Sequence, residues 1–92
     1  NILAERFMLL FKEAGKIKNS DPASDDAQNL VKRIQDYITE NLYTCTNKIL
    51  RGLGKMYSGG GDFTTNIDVY GGKGTANFVS AAIEIYCDNA KK

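Results

Sequence analysis

The sequence predicts an all-α fold, a compact bundle of about five helices. Apolar residues recur at spacings of three and four, as in Leu3, Phe7, Leu10, Phe11, Ala14 and Ile17, which is how one buried stripe on a helix is written. The stretch from Lys48 to Tyr86 nowhere alternates with the period of two that a half-buried strand needs. Two glycine-rich joints, Gly59-Gly60-Gly61 and Gly71-Gly72-Lys73-Gly74, divide that stretch into three segments of helical length.

The first helix carries the Leu3-to-Ile17 stripe, with Ile2, Met8 and Leu9 beside it. So broad an apolar arc must be covered by other helices or by a partner. Gly15 is expected to loosen its end, and Lys16 to Asp21 reads as a polar loop. Ser24 is the expected N-cap of the second helix, with Asp25 and Asp26 in the first turn, where carboxylates suit the positive helix end. An alternative start sets Asp21 at the cap and Pro22 at the first helical position. The stripe continues through Ala27, Leu30 or Val31, Ile34, Tyr37 or Ile38, and Leu42. Lys32, Arg33, Asp36 and Glu40 form the solvated face.

Tyr43 to Asn47 is a corner at which Thr44 or Thr46 caps a third helix, Asn47 to Tyr57. Gly52 and Gly54 inside that helix cost about 1 kcal/mol each relative to alanine, and close helix packing is the expected reason for them. Asp62 is the expected cap of a short fourth helix reaching about Tyr70. Thr75 is the expected cap of the last, which runs to about Asn89. Lys91 and Lys92 lie at the chain end, where positive charge is favourable.

Composition narrows the function. The 92 residues suffice for one domain and one core. A net charge of +1 gives no electrostatic case for gripping nucleic acid unaided. No apolar run approaches the ~18 residues of a membrane span, so no membrane role is expected. Two cysteines with no visible secretion signal point to free thiols in a reducing, cytoplasmic setting. The chain has no histidine, which removes the commonest general base and metal ligand and the usual proximal haem ligand. No metal or other cofactor is therefore expected. The first residue is Asn1 rather than Met, so the chain is expected to be a piece of something longer.

The motifs Leu53-Gly54-Lys55-Met56-Tyr57, then Phe63-Thr64-Thr65-Asn66-Ile67-Asp68, then Gly72-x-Gly74-Thr75-Ala76-x-Phe78-Val79-x-x-Ala82-Ile83-x-x-Tyr86-Cys87 resemble the second half of the TipA-type antibiotic-recognition domain. That domain is the effector-binding module at the C-terminus of many MerR-family transcription regulators. Asp21-Pro22 and Ala27-Gln28-Asn29-Leu30 fit the family more loosely. The resemblance covers most of the chain and is specific from about Tyr43 onward. It implies a globin-like arrangement without haem and one effector-binding domain over residues 1–92. It also implies a winged-helix DNA-binding domain and a dimerising helix upstream, and bulky, partly apolar ligands such as thiopeptide antibiotics or lipophilic drugs. Contact with DNA would be made only by that upstream domain, in a homodimer of the whole protein. A stand-alone protein that sequesters the same drugs is the alternative. Family members commonly carry an Asp-Glu-Arg-Phe-like approach to the middle helix. Here Ser58-Gly59-Gly60-Gly61-Asp62-Phe63 keeps the turn and lacks the arginine, so no ligand contact of that arginine carries over.

Five tyrosines and four phenylalanines are many for so small a chain. A tyrosine hydroxyl needs a partner or water, which suits either a partly wet apolar concavity or the outward edge of a core. Tyr57, Phe63, Tyr70 and Phe78 surround the glycine joints and are the expected pocket residues. Cys45 precedes a helix, where a thiol can be more acidic and more nucleophilic toward an electrophilic ligand. The commoner role at such a corner is a small buried residue. Cys87 reads as core, and a Cys45–Cys87 disulfide stays open. Asp62, Asp68 and Glu84 read as caps and solvated faces, because no third group orients them as an acid–base pair. Gly72-Lys73-Gly74-Thr75 lacks the preceding strand and the full spacing of a phosphate loop. Without histidine or a nucleophile–base pair, no enzyme activity is expected.

Overall fold

The computed structural model describes residues 2–90. Among them are five helices and no strand: α1 (Ile2–Lys16), α2 (Asp25–Asn41), α3 (Asn47–Tyr57), α4 (Asp62–Gly71) and α5 (Thr75–Ala90). Lys91 and Lys92, expected to favour the end of α5, lie outside the described residues.

Helix α5 packs against all four others. Its buried residues, Thr75, Ala76, Phe78, Val79, Ala82, Ile83 and Cys87, therefore spread beyond a single stripe. Around it, Phe11, Ile34, Leu50, Tyr57 and Ile67 close one core. Helices α1 and α4 run side by side in the same direction, with their C-terminal ends meeting at Gly15 and Gly71. A Cβ at Gly15 would lie only 2.0 Å from the Gly71 carbonyl oxygen. Gly15 thus marks a backbone-to-backbone contact and not a loosened end.

The starts and stops follow local chemistry. Ser24 Oγ accepts from Ala27 N–H at 3.3 Å and caps α2. Asp21 instead accepts from Ala23 N–H within the preceding turn. Thr46, not Thr44, caps α3 by accepting from Ile49 N–H at 3.2 Å.

Two expected caps are corrected. Asp62 is the first residue of α4 and Gly61 holds the cap position without a side-chain bond. Thr64 does the stitching at that joint, accepting from Gly60 N–H at 2.9 Å and donating to the Tyr57 carbonyl at 2.6 Å. Thr75 is wholly buried and donates to the Gly72 carbonyl at 2.7 Å. The cap of α5 comes from α4, where Asp68 Oδ1 accepts from Ala76 N–H at 2.9 Å. Gly72 and Gly74 have φ of 97° and 93°, the left-handed region in which glycine is unstrained. This lets the chain reverse tightly enough for Asp68 to reach the next helix.

The two glycines within α3 part company. A Cβ at Gly54 would meet Ile83 Cγ2 at 3.0 Å, so α3 and α5 approach closely there. At Gly52 nothing lies within 4 Å, so packing does not explain it.

Candidate ligand cleft

Between α1 and α4 lies a cleft of about 400 Å³, lined by Ala4, Phe7, Met8, Phe63, Asn66 and Tyr70. Its walls follow from the two helices' spacing. Ala4, Phe7 and Met8 share one face of α1 at steps of three and four, and Phe63, Asn66 and Tyr70 do the same on α4. Phe63 and Tyr70 are 42% and 45% exposed, so their rings stand open to solvent at the cleft and leave apolar surface available. Asn66 contributes an amide that both donates and accepts. The lining side chains are otherwise apolar, save for the Tyr70 hydroxyl.

The wall on α1 is held from behind by aromatic contacts. Tyr37 stacks on Phe7 with centroids 5.6 Å apart, and its hydroxyl donates to the Leu3 carbonyl at 2.6 Å. Phe7 meets Phe11 edge-on at 5.1 Å, Phe11 meets Tyr57 edge-on at 5.4 Å, and Tyr57 meets Phe63 at 5.6 Å. An unbroken chain of rings thus runs from the α4 wall through the core to the α1 wall.

The five residues singled out from the sequence are distributed unevenly. Phe63 and Tyr70 line the cleft. Tyr57 is buried directly behind Phe63. Burial raises its phenol far above the usual range, with smaller contributions from nearby Tyr43 and Cys45. Its ring packs between Phe11 and Phe63. Phe78 is buried in α5 and lines no part of the cleft, nor does Cys45.

Cys45 is buried at the corner, and its thiol is raised by that burial and, less, by Cys87. The helix-end acidification that its sequence position suggested is outweighed by desolvation. Cys87 donates to the Asn47 carbonyl at 3.4 Å, and both thiols are free. Glu84 pairs with Arg51 at 2.8 Å, on the surface as expected.

Ala4, Phe7, Met8 and Asn66 were not among the sequence-derived site residues. The available signal was the breadth of the α1 apolar arc, too wide to be covered by core contacts alone. Among the described residues no cluster of histidine, cysteine, aspartate and glutamate could hold a metal ion, and no helix is long and apolar enough to cross a membrane.

Comparison with known proteins agrees with the sequence motifs. Over 88 residues the chain is 38% identical to a protein named HTH-type transcriptional activator mta, from Bacillus subtilis (strain 168). The alignment takes in 96% of this chain and 34% of that relative, so the chain spans about a third of the relative's length. No solved structure gives a significant match. The model of the family described as the TipAS antibiotic-recognition domain matches residues 3–86. By that match, across nearly its whole length, the chain belongs to the TipAS antibiotic-recognition domain family.

Proposed function

We propose that this chain is the ligand-sensing domain of a MerR-type transcription regulator, and that the α1–α4 cleft receives a bulky, partly apolar ligand such as a thiopeptide antibiotic or a lipophilic drug. The observation that carries the reading is the pair of half-exposed rings, Phe63 and Tyr70, facing Phe7 and Met8 across about 400 Å³. That volume falls within the ~300–1,000 Å³ typical of small-molecule sites, whose walls are mostly apolar with a few polar groups. A thiopeptide is large for it and would enter by one edge.

Coupling to transcription follows from linkage. A ligand that contacts both α1 and α4 stabilises the arrangement in which α1 is docked. A regulator whose activating state requires that arrangement gains the difference, typically ~1–3 kcal/mol. On this reading the contact with DNA would be made by a helix-turn-helix segment outside these residues; the relative to which the chain is similar is named an HTH-type transcriptional activator.

Backbone NMR with a thiopeptide tests the reading. Amide shifts at Ala4, Phe7, Phe63 and Tyr70 are expected, reduced in a Phe63→Ala variant. Unmoved resonances at saturating thiopeptide would reject this ligand class. Shifts confined to α3 and α5 would reject the cleft.

A further inference from the structure

The opposite face of α1 carries a second feature that the ligand cleft does not use. Two adjoining grooves between α1 and α2, of about 310 and 470 Å³, share Glu13, Lys16 and Arg33 and together line one trough, which the Arg33–Glu13 ion pair crosses. Arg6 borders one groove and Lys16 stands where the two meet, ten residues apart on α1, about 15 Å along the helix axis. Leu9 lines the trough 53% exposed, while its neighbour Leu10 is buried.

The charges there do not balance. Arg33 pairs with Glu13 at 2.8 Å. Arg6, Lys12 and Lys16 have no carboxylate partner among the described residues, and the trough's remaining acid is Asp26. Three unmatched cations thus border one exposed leucine, on a chain whose total formal charge is only +1.

We propose that this α1–α2 trough is a docking surface for an acidic amphipathic helix of a partner protein. An apolar side chain of the partner covers Leu9, and carboxylates on its flanks meet Arg6, Lys12 and Lys16. A helix laid in a groove buries one stripe and offers charges on either side of it, the pattern this surface complements. A nucleic-acid backbone fits less well, because exposed Leu9 would face phosphates and gain no apolar cover.

The test uses a fluorescein-labelled helical peptide with leucine along one face and glutamate on both flanks, read by anisotropy and by amide shifts. Saturable binding is expected, with shifts at Leu9, Lys12, Lys16 and Arg33. Lys12→Glu combined with Lys16→Glu is expected to weaken binding roughly tenfold or more, because like charges then face each other. Leu9→Ala is expected to weaken it several-fold, a loss that general charge attraction would not produce. All three positions are exposed and Lys12 and Lys16 are unpaired, so the fold is retained, as thermal melts will show. The proposal is overturned if a control peptide with lysine in place of glutamate binds equally well. It is also overturned if the variants keep full affinity, if duplex DNA displaces the peptide from this face, or if the shifts appear around Phe7 and Phe63 instead.

Discussion

Replacing Gly15 by alanine probes the contact on which the cleft geometry depends. The added Cβ would sit 2.0 Å from the Gly71 carbonyl oxygen, 2.5 Å from its Cα and 2.6 Å from its carbonyl carbon. Real Cβ contacts essentially never fall below 3.0 Å, so at this point α1 and α4 must move apart by about 1 Å or rotate. The atoms struck are backbone, and no rotamer change relieves them. A gap of that size forfeits a quarter to a half of each dispersion contact along the seam. Overpacking of this kind costs about 1–3 kcal/mol, and rigid neighbours put it near the top of that range. Alanine returns up to ~1 kcal/mol of helix propensity. The expected net loss is about 2 kcal/mol, or roughly 8–16 °C in Tm for a domain of this size. Gly52→Ala is the internal control. Nothing lies within 4 Å of the added methyl, so the propensity gain of ~0.5–1 kcal/mol should appear unopposed. Urea titrations of both variants supply the comparison. A Gly15→Ala protein as stable as the parent would show that α1 and α4 do not meet here.

Phe78→Ala should lose ~3–5 kcal/mol, as for a buried phenylalanine, whereas Phe63→Ala and Tyr70→Ala should lose far less stability yet weaken thiopeptide binding; paired melts and titrations separate core from cleft. Asp68→Ala removes the acceptor for Ala76 N–H and should cost about 1 kcal/mol, as for loss of an N-cap, measurable by urea titration. Burial raises Cys45, Cys87 and Tyr57 in the folded state, so the unfolded chain releases those protons first. The stability tied to these groups is therefore complete below the unfolded thiol pKa of ~8.5 and is lost as pH rises through the folded values. Melts across alkaline pH should show the decline, and Tyr57→Phe should flatten its upper part, above pH ~10.

The helices were legible because each writes its own stripe. The boundary of α3 at Asn47 and Tyr57 and the caps at Ser24 and Thr46 depend only on neighbours within a turn. The cleft was less legible because it depends on how helices are rotated against one another. Phe63, Tyr70 and Phe78 all flank glycine joints, and nothing local distinguishes them. Helix α5 meets every other helix, so Phe78 is buried, while α4 turns Phe63 and Tyr70 toward the cleft. Phe7 lies four residues before Phe11 on the same stripe, yet one ring borders the cleft and the other is core. Spacing fixes the stripe but not where the neighbours stop covering it. Gly15 carries the same lesson, since a glycine near a helix end signals looseness until the opposing backbone is known. Asp68 caps a helix other than its own, an arrangement that only the tight joint through Gly72 and Gly74 makes possible.

These separate features converge on α1. One of its faces walls the aromatic cleft and another walls the cationic trough, so whatever fixes α1 fixes both. It is held at its C-terminal end by the Gly15–Gly71 contact, where there is no slack. At its N-terminal end it is held by the Phe7–Tyr37 stack and the Tyr37 bond to the Leu3 carbonyl. The Tyr37 hydroxyl bond is on the surface, and a single hydrogen bond contributes only ~0.5–1.5 kcal/mol, so the N-terminal half is the more easily displaced. A guest between Phe7 and Phe63 would add contacts at that weaker end. Such a guest would also steady Arg6 and Leu9 on the far side of the same turns. Ligand occupancy and partner docking would then favour one position of α1, and each would strengthen the other by the same factor.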